Sequence, residues 1–337
     1  MRAALMYGPG DVRVERRDDP TILEPTDAII SLSHSCICGS DLWPWRGIDQ
    51  YPWPAPMGHE YAGTVVDVGS DVRTVSAGQF VVGSFFASDN TCPTCRAGYQ
   101  TSCIHRQSVG GSQAELLRVP LADGTLVATP GTPSPELIPS LLAASDVLGT
   151  GWFGAVAAEA GPGKTVAVVG DGAVGLLGIL AAQRLGAERI IAMSRHPQRQ
   201  RLARAFGATD VVEGRDAEGV ARVKDLTGGL GADSVIEAVG TQEATMQAIR
   251  SARPGGHVGY VGVLHGELSA NEIFFSHAHL HGGPAPVRRF LPELIDLIWR
   301  GEIDPGKVFD LELPLDQAAD GYRAMDERRA TKVLLRA

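Results

Sequence analysis

Metal-ligating side chains fall into two constellations in this chain. The dispersed one is Cys38, in C-I-C-G-S-D, with His59 and Glu60, in P-M-G-H-E-Y-A-G. The compact one is S-D-N-T-C-P-T-C-R-A-G-Y-Q-T-S-C, which holds Asp89, Cys92, Cys95 and Cys103. Thiolate, imidazole and carboxylate together suit zinc. The compact spacing, D-x2-C-x2-C-x7-C, can close a tetrahedron around the ion with no place for water, and Gly98 permits the return between Cys95 and Cys103. Such a closed site supports a loop that lacks its own core. Asn90 or a water could stand in for Asp89. A Cys92–Cys95 redox pair is the alternative, which the third thiol at Cys103 disfavours. The dispersed set is incomplete, because a catalytic zinc needs three protein ligands and an exchangeable position.

Downstream, V-A-V-V-G-D-G-A-V-G carries a G-x-G-x-x-G loop between an apolar strand and an amphipathic helix. Gly170 permits the tight turn, Gly172 lets the backbone approach a pyrophosphate, and Gly175 lets the helix pack closely on the sheet. Ala173 and Val174 open that helix, whose free N–H groups face the phosphates. An NAD enzyme usually places Asp or Glu about twenty residues later, on the ribose 2′-hydroxyl. Here that place is Ser194, followed by Arg195 and His196. Arg195 can form a bidentate pair with a 2′-phosphate, Ser194 can donate to it, and Arg199 adds charge one turn on. NADP(H) is therefore the expected cofactor; the alternative leaves Arg195 as a solvated surface residue.

The elements that must position these groups change character along the chain. The first part alternates in D-A-I-I-S-L-S and Y-A-G-T-V-V-D-V, with frequent Pro and Gly, and reads as an antiparallel barrel-like fold. A helix is expected over 136–148, ending in the glycine-rich G-T-G-W-F-G-A. Strands and helices then alternate, which predicts a parallel, doubly wound sheet. The tail from about Asp304 is too short for a domain and is expected to return to the first one. His277, His279 and His281 share one face of an expected strand, as a metal site or as interface residues.

The bulk numbers exclude several classes. A chain of 337 residues has room for about two domains. The net charge of −9 gives no long-range attraction to nucleic acid or anionic membranes. The N-terminus does not read as a signal peptide, and no apolar run is long enough to span a bilayer. A cytoplasmic location is expected. The five cysteines would there be thiolates or metal ligands rather than a disulfide framework.

Together these motifs resemble the medium-chain, zinc-dependent alcohol dehydrogenases over essentially the whole length. The segment from Gly58 to Val72 matches the family's signature G-H-E-x2-G-x5-G-x2-V, and C-G-S-D matches the motif holding its first zinc ligand. The resemblance implies an α/β chain: a GroES-like antiparallel β-barrel catalytic domain over 1–145, a Rossmann NADP-binding domain over 146–287, and a return over 288–337. It implies that Asp146, in S-D-V-L-G-T-G, supplies the third ligand near a domain boundary, where a cleft would be. Glu60 resembles the carboxylate that binds or leaves the zinc in some members. The family's second lobe has four cysteines, the first replaced here by Asp89, so two zinc ions per chain are expected. Thr150, Val239, Gly262 and Val263 are expected against the cofactor. The Ser194–Arg195 pair is similar to that of NADP-dependent bacterial members.

The implied reaction is hydride transfer between NADP(H) and an alcohol or its ketone or aldehyde. Zinc would draw the alcohol's pKa towards neutrality, and Ser40 would accept its proton by hydrogen bonding. Some members carry a proton-relay histidine five residues after the first ligand; here that position is Trp43. Trp43, Trp45 and Trp53 either shape an apolar pocket for bulky or aromatic substrates or pack under a loop. A dimer or tetramer is usual in the family. Polyol, threonine or formaldehyde oxidation by the same fold is the alternative, as is a non-catalytic NADPH-binding protein. Lys332 matches a basic position near the family's C-terminus, with no role assigned.

Overall fold

The structure, a computed structural model, describes residues 1–49 and 52–337. It divides into two compact units, one formed by Met1–Gly149 with Pro286–Ala337, the other by Thr150–Ala285.

The first unit is organised by a seven-stranded sheet. Its long strand, Ala28–Ile37, pairs antiparallel with Tyr61–Val68 and with Val333–Arg336. The alternation read in D-A-I-I-S-L-S sends Ala28, Ile30 and Leu32 into one cluster with Tyr61, Val65, Val81 and Leu117. The exception to antiparallel pairing is Leu311–Pro314 beside Val333–Arg336, which run parallel. Parallel neighbours need a crossover, and the helix Ala318–Asp326 provides it. That helix buries Tyr322 and Met325 against Ile37, Leu42 and Trp45. The return to this unit begins with the helix Val287–Trp299, which buries Phe290, Leu291, Leu294, Ile295 and Ile298.

The helix expected over 136–148 is divided differently. A turn at Pro135–Leu137 leads into Ile138–Ala144, and after Ser145 and Asp146 a second helix runs Val147–Ala157. The glycines expected to stop the helix lie inside the second one. A Cβ on Gly151 would sit 2.6 Å from the Gly178 nitrogen, and one on Gly154 would sit 3.0 Å from Ile236. Close packing there outweighs the ~1 kcal/mol that each glycine costs a helix.

The second unit is a six-stranded parallel sheet. Its spatial order runs Asp210–Val212, Arg189–Met193, Thr165–Val169, Ala232–Glu237, Ala252–Tyr260, His279–Gly282. In chain order that is 3-2-1-4-5-6, the dinucleotide-binding arrangement. Its apolar layer includes Ala167, Val169, Ile191, Val235 and Val258. No single helix among the described residues is long and apolar enough to cross a membrane.

Candidate active site

Strand register assembles the dispersed constellation. Ile37 stands opposite Val333, and Ser35 stands opposite Tyr61. Cys38 therefore leaves the long strand at the same edge where Lys332 enters its neighbour and where His59 and Glu60 precede theirs. Asp146 arrives at the break between two helices. Ser145 fixes that break: it accepts from the Tyr61 N–H at 2.9 Å and donates to the Gly83 carbonyl at 2.7 Å. The ligand atoms of Cys38, His59, Glu60 and Asp146 all lie within 4.8 Å of one another.

The Asp146 Oδ2 lies 3.1 Å from His59 Nε2, and the Cys38 thiol donates to it at 3.5 Å. Glu60 is fully buried; its Oε1 meets Lys332 Nζ at 2.7 Å, while Oε2 has no hydrogen-bond partner among the described residues. Burial pushes the Cys38 thiol up, and the charges of Asp146 and Glu60 push it further. Burial also raises Glu60, against the pull of Lys332. His59 would fall by burial, but Cys38, Asp41 and Asp146 hold it well above the ordinary imidazole range. A divalent cation at the centre inverts this logic, deprotonating thiol and imidazole alike. One thiol, one imidazole and two carboxylates, one with an orphaned oxygen, fit zinc.

Two supporting residues lie outside the expected ligand set. Asp41 places Oδ1 3.5 Å from His59 Nδ1, while its Oδ2 accepts from the Cys38 N–H at 3.0 Å and from Gln113 at 3.3 Å. Tyr322, stacked on Trp45, donates in turn to Gln113 at 3.2 Å. Lys332 is the other, 1% exposed and also donating to the Ile37 carbonyl. Asp41 stands within C-G-S-D; the Lys332 contact exists only through register.

The compact run also converges, with the ligand atoms of Asp89, Cys92, Cys95 and Cys103 within 4.8 Å of one another. Asp89 accepts from the Thr91 and Cys92 N–H groups at 2.8 and 2.9 Å, and its other oxygen lies 2.7 Å from His105 Nδ1. Burial opposes its ionisation, but these bonds hold it well below the usual carboxylate range. Cys92 caps the short helix Pro93–Arg96. Backbone N–H groups of Ile104 and Cys95 lower its thiol to about 7.

In the second unit the three loop glycines have separate reasons. Gly170 adopts φ +117°, and a Cβ on Gly175 would collide with the Gly170 carbonyl oxygen. Gly172, the N-cap of Ala173–Arg184, has an ordinary φ of −75°, and a Cβ there would meet nothing within 4 Å. Neither conformation nor packing demands glycine there, and the backbone at Gly172 is left open to close approach. Glu237 pins the neighbouring turn, accepting from the Val239 and Gly240 N–H groups at 2.8 Å each. Val239 and Val263 are exposed beside it, and a Cβ on Gly262 would strike Gly240. Thr150 is buried in Val147–Ala157. Ser194 is buried directly after the second strand, Arg195 is exposed, and Arg199 is partly buried.

Residues 24–130 match the alcohol dehydrogenase GroES-like domain, and residues 173–299 match the zinc-binding dehydrogenase family. Zinc-type alcohol dehydrogenase B of Aspergillus flavus is 34% identical, covering 100% of this chain and 81% of that protein. The chain belongs to the zinc-dependent medium-chain alcohol dehydrogenases. The alcohol dehydrogenase structure from Thermus sp. ATN1 is similar throughout, with TM-score 0.90, 33% identity, and 100% and 99% of the two chains covered. A putative zinc-binding dehydrogenase of Sinorhizobium meliloti, solved bound to NADP, has TM-score 0.82 and 27% identity, with 100% and 99% covered.

Other expected features of this dehydrogenase are placed as follows. Ser40 lies half-buried on the turn Gly39–Asp41 that Cys38 opens. Trp45 belongs to the core and Trp53 packs against it, so those two serve packing; Trp43 is partly exposed on the short helix Leu42–Trp45. His279 and His281 lie on an exposed edge strand, while His277 precedes it in a left-handed turn, so the three do not form one row. His279 stacks on His257 at 4.4 Å.

A carboxylate behind a metal-binding histidine fixes its tautomer and raises its basicity. Asp41→Asn should therefore weaken zinc binding about 10–100-fold, read by competition with a chromogenic chelator. Unchanged affinity would mean Asp41 only terminates the strand.

Proposed function

We propose that this chain transfers hydride between NADP(H) and a primary or secondary alcohol and its carbonyl partner, using one zinc for chemistry and one to hold a loop. The observation that carries the reading is the convergence of Cys38, His59, Glu60 and Asp146, with a buried Glu60 oxygen that has no donor among the described residues. Bound there, zinc supplies Lewis acidity toward the substrate oxygen, and the nicotinamide ring supplies or accepts hydride.

The chain's own residues do the rest. Cys38, His59 and Asp146 hold the ion, Glu60 stands as an additional ligand backed by Lys332, and Asp41 orients His59. Ser40, two positions after Cys38, receives the substrate hydroxyl proton by hydrogen bond. With Trp43 in the relay histidine's place, that proton leaves through water. Asp89, Cys92, Cys95 and Cys103 take the second zinc. Gly172 and the start of Ala173–Arg184 receive the pyrophosphate. The absence of a carboxylate at Ser194, with Arg195 next to it, supports the 2′-phosphorylated cofactor. The family's habit supports a homodimer or homotetramer.

The test joins metal analysis to a substrate panel. The purified chain should hold about two zinc ions and consume NADPH with ketones or aldehydes faster than NADH. Full turnover in zinc-free protein would refute the scheme, and a preference for NADH would overturn the cofactor choice.

A further inference from the structure

The acid that a dinucleotide fold usually offers at the end of its second strand is missing at Ser194, yet a carboxylate reaches that place from the glycine loop that follows the first strand. Asp171 lies inside the glycine loop, between Gly170 and Gly172. Its Oδ2 accepts from Ser194 Oγ at 2.8 Å, and its Oδ1 accepts from Arg199 Nη1 at 3.1 Å. The Asp171 and Arg199 side chains are 14% and 15% exposed. Two of the three groups that could grip a 2′-phosphate are thus already engaged by one carboxylate.

We infer that Asp171 sets the choice between NAD(H) and NADP(H), restraining 2′-phosphate binding and admitting the unphosphorylated ribose. The inference rests on the dinucleotide reading above. A ribose 2′-hydroxyl can donate to a carboxylate in this position, as it does to the usual acid. A phosphate cannot; it meets a fixed negative charge one hydrogen bond beyond Ser194, and an Arg199 already neutralised by it. Arg195, exposed and next along the chain, supplies the remaining attraction. The unsubstituted chain therefore prefers NADP(H) only modestly.

Substitution at Asp171 separates charge from shape. Asp171→Asn keeps a side chain that can bond Ser194 but removes the charge and releases Arg199. Binding is read by calorimetry with NADP+ and NAD+, and with 2′-AMP and 5′-AMP as fragments that engage only the adenosine end. None of these readouts depends on turnover or on zinc. In Asp171→Asn the Kd for NADP+ and 2′-AMP should fall roughly tenfold or more, the size expected from removing one repelling charge in a partly screened site. The Kd for NAD+ and 5′-AMP should stay constant or rise. Asp171→Ala should shift the ratio in the same direction. Equal weakening of both dinucleotides in both variants would make Asp171 a structural loop residue and overturn the inference alone. Failure of the unsubstituted chain to bind any of the four would remove this inference and the cofactor reading together.

Discussion

Cys38→Ser and His59→Ala should each lower kcat/KM about a thousandfold or more and remove about one zinc per chain. The size follows from the chemistry: a metal acting as Lewis acid contributes several kcal/mol to the transition state, and each 1.36 kcal/mol is tenfold in rate. The loss should be selective. Both residues belong to the cluster of Cys38, His59, Glu60 and Asp146, whereas the second zinc proposed above would rest on Asp89, Cys92, Cys95 and Cys103, which share no residue with it. Elemental analysis should thus fall from about two zinc ions to about one, while NADP+ binding persists. Cys103→Ser makes the complementary control, losing the other ion. Near-normal turnover of His59→Ala with its zinc count reduced would show that the ion at this cluster is not the reactive one.

Selective loss is expected because the two clusters are built by different means, which also explains what the sequence discloses. The compact cluster is local: three cysteines and an aspartate within one loop are visible as spacing. The dispersed cluster depends on register. Cys38 and the His59–Glu60 pair are recognisable by residue type, but Asp146 is an unremarked helix-end aspartate until its likeness to a family is considered. It reaches the site because Ser145 ties the helix break to two strands. Lys332 is harder still: likeness to the family marks a basic position there, but no local pattern gives its contact with Glu60. Asp171 occupies an x position of the G-x-G-x-x-G loop, so the motif itself gives no sign of its role.

The same distinction holds for the fold. The apolar strands and the helices Ala173–Arg184 and Gln242–Ser251 of the second unit follow from the alternation of apolar runs and helical segments. The strand Asp210–Val212 and the helix Asp216–Leu226 do not. Three residues are too few to show alternation, and the helix has only Gly219, Val220 and Val223 buried. Glycine misleads where packing overrides propensity, as in Val147–Ala157. There the residues that should end a helix are those that let it approach its neighbours.

Lys332→Met should destabilise the protein by about 3–5 kcal/mol, the usual cost of leaving one member of a buried ion pair alone. Lys332 and Glu60 are each 1% exposed and meet at 2.7 Å. Without the lysine, Glu60 keeps one oxygen that lacks a donor among the described residues and loses the Lys332 ammonium against the other. The melting temperature should drop by roughly 2–4 °C for each kcal/mol. Zinc must be held in fixed excess, because an ion that binds only the folded state adds stability of its own. The double variant Glu60→Gln/Lys332→Met should recover most of the loss, since removing both charges together spares the uncompensated one. Recovery should stop short of complete, because Lys332 also donates to the Ile37 carbonyl at 3.3 Å. The sign with pH follows. Burial would lower the Lys332 pKa, but Cys36, Glu60 and Cys38 raise it well above the ordinary lysine value. Its contribution is then fully present below the unfolded lysine pKa of about 10 and fades only as pH rises through the higher folded value. A melting loss that vanished at neutral pH, or a double variant no more stable than the single one, would show that Glu60 is buried as the neutral acid and that Lys332 holds the backbone rather than the carboxylate.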